Sequence, residues 1–261
     1  MKSNIVARRP FLASLLAMPL AAQQAATPYK PVQSDRPEVL EGEEPGFKPI
    51  FNGKTLDGWE GDPRYWRAED GNLVGEITPQ SVIKSNTFII WRGGKPANFE
   101  LKVDCRITEG GNSGINYRSV VVPDTVTPTN KFAMRGYQAD IDGRNVYTGQ
   151  NYEEKGRLFL ATRGVMTRVV DGRKPIILAA LADPKELAAI VRTGWNSFHV
   201  IARGHQLTHI VNGKVMCVVV DDGSEGNAEK AGRMTEGLIG VQVHVGGPMK
   251  VVYRGFRMKE Y

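Results

Sequence analysis

The sequence predicts an all-β protein, a sandwich or barrel of short strands, from three observations. Gly and Pro supply 29 and 15 of the 261 residues, a share that suits many turns better than a helical bundle. From Phe47 onward the apolar residues recur mainly with period two, the spacing of a half-buried strand. These runs are short and separated by Gly, Asn, Asp and Pro. With 41% hydrophobic residues the chain can also build a sizeable core.

In chain order the predicted strands begin with 49–51, 65–68 and 72–77, the last alternating Leu73, Gly75 and Ile77 with Glu76. Apolar runs at 87–91 and 98–107 follow. Strand 113–118 carries Ile115 and Tyr117 on one face and Asn116 and Arg118 on the other, because one residue's step reverses the side chain. In 136–141 the apolar set is Tyr137, Ala139 and Ile141, which turns Gln138 and Asp140 the opposite way. The stretch 143–193 interrupts the rhythm with Gly149, Gly156, Gly164 and Gly172. It also holds Tyr147, Tyr152, Arg157 and Arg163, as expected of a binding loop. Inside it, Asp183-Pro184-Lys185-Glu186 offers an N-cap, a proline at the first helical position and an N3 carboxylate, predicting one short surface helix. Strands 198–202, 206–211 and 214–220 come next, the last two joined through Asn212-Gly213, a pair suited to a tight hairpin turn. Strands 237–244 and 249–258 close the series. In the first of these, Gln242 and His244 leave the core face together.

The segment before the domain has a different character. Residues 1–26 combine a basic start, an apolar stretch from Phe11 to Ala22 and a small-residue end, the layout of an export signal. Ala7-Arg8-Arg9-Pro10-Phe11-Leu12 resembles a twin-arginine motif, although paired arginines also occur in ordinary signals. A periplasmic or secreted protein is the expectation, with a Pro- and Glu-rich tether over 27–45 and the domain over 46–261. No run approaches the length of a membrane-spanning helix. The formal charge of +6 falls to about +3 without Lys2, Arg8 and Arg9, too scattered an excess to imply nucleic acid. Cys105 and Cys217 lie in strand-like runs and read as two small buried hydrophobes or as one disulfide.

Period two therefore offers Glu76, Asn116, Arg118, Gln138, Asp140, Gln242 and His244 to a polar face, with Tyr152 and Arg163 supplied by the long insertion. Amides, an arginine and a histidine beside carboxylates can grip a hydroxyl-rich ligand and still include a base, whereas an idle wet face is the plain alternative. His199, His205 and His209 read as packing or solvated residues. No nucleophile elbow, phosphate loop, zinc-protease helix or dinucleotide fingerprint occurs, so no nucleotide cofactor is expected.

Seven segments in order resemble the 3-keto-disaccharide hydrolase domain family over about residues 46–260. They include Phe51-Asn52-Gly53-Lys54-Thr55-Leu56-Asp57-Gly58-Trp59, Asp70-Gly71-Asn72-Leu73-Val74-Gly75 and Gly111-Asn112-Ser113-Gly114-Ile115-Asn116-Tyr117-Arg118. Gly136-Tyr137-Gln138-Ala139-Asp140-Ile141-Asp142, Trp195-Asn196, Asn212-Gly213 and Gly237-Leu238-Ile239-Gly240-Val241-Gln242-Val243-His244 complete the series. The resemblance implies a concanavalin A-like jelly-roll sandwich with its site on the concave sheet. It also implies cleavage of glycosides oxidised at C3, by hydrolysis or elimination, downstream of a sugar 3-dehydrogenase.

On that chemistry His244 is the expected base, with Asp140 and Glu76 as acid partner or metal ligands. Asn116, Arg118, Gln138, Gln242, Tyr152 and Arg163 are the expected substrate contacts. A divalent metal on Glu76, Asp140 and His244 is one expectation; a carboxylate of Asp140 fixing Arg118 is the other. A two-carboxylate glycosidase using Glu76 and Asp140 and a non-catalytic sugar-binding module are the rival classes.

Overall fold

The computed structural model describes residues 29–37, 42 and 44–261, so the segment expected to be an export signal, residues 1–26, lies outside the described residues. Residues 29–37 contain no helix or strand, in keeping with a Pro-rich composition that offers no apolar periodicity. The domain is nearly all β, a sandwich of two sheets with one helix. Its strands are β1 (Lys48–Pro49), β2 (Trp59–Gly61), β3 (Trp66–Glu69), β4 (Asn72–Ile77), β5 (Thr87–Trp91), β6 (Phe99–Ile107), β7 (Asn112–Val121) and β8 (Met134–Asp142). They continue with β9 (Asn151–Glu154), β10 (Leu158–Ala161), β11 (Val165–Val169), β12 (Ile176–Ala180), β13 (Asn196–Arg203), β14 (Gln206–Val211), β15 (Lys214–Asp221), β16 (Leu238–Val243) and β17 (Met249–Glu260).

The seven-stranded sheet runs β10-β9-β8-β7-β16-β5-β2, and the ten-stranded sheet runs β12-β11-β15-β14-β13-β6-β17-β4-β3 with β1 on β17. All neighbours are antiparallel except β11 and β15. Inner-face alternates of β7, β8 and β16 (Ile115, Tyr117, Tyr137, Ala139, Val241 and Val243) pack with Leu73, Phe99, Leu101, Phe198, Val200 and Tyr253 in one core cluster. Each large side chain so buried stabilises the fold by roughly 1.5–3 kcal/mol. Gly75 makes the packing possible near β4, since a Cβ there would lie 2.6 Å from the Trp66 ring and 2.9 Å from Val243.

The hairpin at Asn212-Gly213 forms as its residues require, with φ of 49° and 77° at the two turn positions. The predicted helix is α1 (Pro184–Ala189), capped by the Asp183 carboxylate, which accepts from the backbone N–H groups of Lys185 and Glu186. Around α1, however, the stretch expected to be a binding loop consists of β9 to β12, which extend both sheets. Left-handed residues at Gly149, Lys155, Leu158, Gly164 and Gly172 cut it into runs of four or five residues, too short to register as strands by periodicity.

The cysteines are separate thiols buried on β6 and β15, and burial raises both above the usual thiol range. His209 is a core residue whose Nε2 lies 2.8 Å from the Tyr117 hydroxyl and whose Nδ1 lies 3.2 Å from the Gln150 carbonyl oxygen. Burial pushes its pKa down to about 4, so it stays neutral. His199 pairs with Glu100 and His205 with Asp222. No helix among the described residues is long and apolar enough to cross a membrane.

Candidate active site

The outer face of the seven-stranded sheet carries the residues that alternate with its core set. Asn116 on β7 stands opposite Gln138 on β8, and Gln138 opposite Tyr152 on β9. Gln242 on β16 lies two residues from Gly240, the partner of Asn116. Three adjacent strands thus bring Asn116, Gln138, Asp140 and Gln242 to one surface, as period two predicts. A small apolar cluster of Phe88, Ile90 and Met134 flanks them. Gly114 opens room for the amide of Gln138, whose Cδ would lie 2.4 Å from a Cβ at that position.

Burial on this face is nearly complete: Asn116 and Gln242 are 0% exposed, Gln138 3% and Asp140 7%. Yet four polar atoms here, Asn116 Nδ2 and Oδ1, Gln138 Oε1 and Gln242 Oε1, lack a partner among the described residues. Buried amides without partners are costly, which a ligand rich in hydroxyls would relieve.

Asp140 is the centre of the charge arrangement. Its Oδ1 accepts one hydrogen bond, 2.7 Å from Gln138 Nε2. Burial above all, then the charges of Glu154 and Asp142, push its pKa up to about 8. It is therefore a neutral carboxylic acid at pH 7. Glu154, absent from the sequence-derived set, reaches the same face from β9. Burial raises its pKa, while amide donors on Asn86 and Gln242, each at 3.2 Å, and the nearby charges of His244 and Lys155 favour its ionised form. The signal that could have found it is Asn151 and Glu153 turning inward while Tyr152 and Glu154 turn outward. Glu153 holds Arg157, and a charged residue at a core position conceals the period.

His244 immediately follows β16 (Leu238–Val243), its Nδ1 2.7 Å from the Val245 carbonyl oxygen. A carbonyl only accepts, so Nδ1 carries a hydrogen, and in the neutral tautomer it is Nε2 that presents the lone pair. Tyr152 is half-buried, and the charges of Glu154 and Asp140 add to burial in raising its pKa. Its ring meets Phe159 edge-on at 5.0 Å, and Phe159 stacks on Tyr147 at 5.6 Å, giving an aromatic strip beside the carboxyl pair.

Three expected residues stand elsewhere. Glu76 lies on β4 in the other sheet, paired with Arg67 at 2.6 Å, so alternation assigned its face but not its sheet. Arg118 sits in a left-handed conformation, φ 44°, at a register shift of β7. Its guanidinium donates to the carbonyls of Ala97, Gly204 and Met234, so it neither clamps substrate nor pairs with Asp140. Arg163 is likewise occupied, donating to Asn145 and Thr148. The metal set of Glu76, Asp140 and His244 does not fit this geometry, and among the described residues no group of three His, Cys, Asp or Glu side chains is arranged to hold a metal ion.

A cleft of about 650 Å³ opens between the ends of β6 and β8, lined by Arg106, Asp142, Arg144, Arg192 and Asn196 among others. It contains none of the unpartnered amides.

Comparison with known proteins agrees with this architecture. A protein of Parabacteroides distasonis described as a glycosyl hydrolase shares the fold at 24% identity and a TM-score of 0.51, over 83% of this chain and 94% of that one. A Bacillus subtilis protein of galectin-like fold does so at 15% identity and a TM-score of 0.50, over 78% and 90%. A 3-keto-disaccharide hydrolase of Bacteroides thetaiotaomicron is 35% identical over 79 residues, a match spanning 28% of this chain and 27% of that relative. The profile of the 3-keto-alpha-glucoside-1,2-lyase-like domain matches residues 46–259, and the chain belongs to that family of carbohydrate-active domains.

Proposed function

We propose that the protein cleaves 3-keto-glycosides by elimination across C1 and C2 on the outer face of the seven-stranded sheet. The observation that carries this reading is the neutral carboxyl of Asp140 beside Glu154, among amides without partners. A ketone at C3 acidifies the hydrogen on C2. His244 Nε2 takes that proton, and the C–H electrons form an enolate whose oxygen is met by Asn116 Nδ2, an unpartnered donor of this face. When the enolate collapses, the C3 carbonyl re-forms, a double bond forms between C1 and C2, and the bond from C1 to the leaving oxygen breaks. Asp140 gives its proton to that oxygen. The products are an unsaturated ketone and a free alcohol or sugar; addition of water at C1 completes net hydrolysis.

The charges of Glu154 and His244 favour one another, which supports the imidazolium that His244 becomes. Asn116 Oδ1, Gln138 Oε1 and Gln242 Oε1 accept from sugar hydroxyls, and the aromatic strip receives a planar or apolar part of the substrate. Positioned proton transfer of this kind contributes about 10²- to 10⁴-fold. The substrate requires prior oxidation of a C3 hydroxyl, the work of a sugar 3-dehydrogenase, and an N-terminal export signal of the kind expected over residues 1–26 would carry the reaction to the periplasm or outside the cell.

NMR of a 3-keto-glucoside and its unoxidised parent, incubated with the protein in D₂O, tests the reading. The expected result is loss of the C2 hydrogen and release of the aglycone from the keto form alone. Cleavage of the parent would replace it with a two-carboxylate glycosidase built on Asp140 and Glu154, and turnover of neither with a binding module.

A further inference from the structure

We infer that the free edge of β12 pairs with the β12 of a second copy of this chain, joining two ten-stranded sheets about a two-fold axis. β12 is the last strand of its sheet and pairs only with β11 among the described residues. Its outer edge therefore presents backbone N–H and C=O groups with no neighbouring strand. All five of its residues, Ile176, Ile177, Leu178, Ala179 and Ala180, are apolar and exposed, Ile177 by 64% and Leu178 by 50%. Natural edge strands are ordinarily guarded by a lysine or proline within the strand, and no charge stands between Pro175 and Asp183.

The flanks say what the partner is. Antiparallel self-pairing centred on Leu178 puts Ile176 opposite Ala180 and turns the Arg173–Lys174 flank of one copy toward the Asp183 end of the other. Neither Arg173 nor Lys174 makes an ion pair among the described residues, and both are exposed. A segment with a cation at one end and an anion at the other is complementary to its own reversed copy, the condition for an isologous interface. The pairing adds a strand-to-strand ladder at the sheet margin and leaves the candidate active site, on the other sheet, outside it.

Leu178→Cys in the full chain tests this directly. Residues facing each other across an antiparallel pair have Cα atoms about 4.5–5.5 Å apart, within the range of a disulfide, and the native cysteines are buried. Mild oxidation is expected to crosslink Leu178→Cys into a covalent dimer and to leave Val126→Cys, at an exposed position outside β12, without a covalent crosslink. In light scattering, Ile177→Lys is expected to raise the dimer dissociation constant at least tenfold with an unchanged circular dichroism spectrum. Equal crosslinking of both cysteine variants would overturn the inference. So would a wild-type monomer at about 100 µM, or sedimentation with phosphatidylcholine vesicles in place of self-association.

Discussion

Replacing Asp140 with Asn is expected to leave a protein that is more stable at neutral pH and nearly inactive. The native carboxyl has a pKa of about 8 in the fold, against 3.8 for an aspartate in the unfolded chain. Between those values the folded state binds the proton and the unfolded state does not, so stability falls as pH rises from about 4 to 8. Below that window both states are protonated and the penalty is absent; above it the penalty is complete. Asn presents the same shape, keeps an oxygen for Gln138 Nε2 and never ionises. The gain at pH 7 is on the order of 4 kcal/mol, vanishing near pH 4, as thermal melts of both proteins across that range will show. Turnover of a 3-keto-glucoside should drop about 10²- to 10⁴-fold, because the leaving oxygen loses its proton donor. In the wild type, activity should fall as pH rises through 8. An unchanged melting temperature together with full activity would remove Asp140 from the account.

Arg118→Met separates the structural from the functional reading of that arginine. Its Nε lies 2.8 Å from the Ala97 carbonyl oxygen and its Nη1 2.7 Å from that of Gly204. The side chain is 1% exposed. Met replaces the stem but leaves those buried carbonyls without donors, each a loss of about 1–3 kcal/mol. The expected cost is on the order of 3–5 kcal/mol, read as a lower denaturant midpoint, with KM for substrate little changed in the protein that remains folded. A substrate clamp would behave in the opposite way, raising KM at constant stability.

These residues also show what a sequence alone can resolve. Period two placed Asn116, Gln138, Asp140 and Gln242 on one face because β8, β7 and β16 are adjacent, regular and share one core. It misplaced Arg118 because the shift between Tyr117 and Val120 and a left-handed backbone break the alternation. Glu76 obeys the alternation but belongs to the other sheet, a long-range fact no local pattern contains. Glu154 was hidden by Glu153, whose partners Arg157 and, through Arg157, Asp221 let a carboxylate occupy an inward position. Caps and tight turns, by contrast, are local chemistry, and both Asp183 and Asn212-Gly213 act as their types require.

The central claim is that Asp140 holds its proton at neutral pH on the ligand-facing side of the sheet. A ¹³C NMR titration of the side-chain carboxyls, with the Asp140 signal assigned by its loss in Asp140→Asn, measures this directly. The account predicts a protonated carboxyl at pH 7 and a midpoint near 8; a midpoint near 4, that of an ordinary carboxylate, would contradict it.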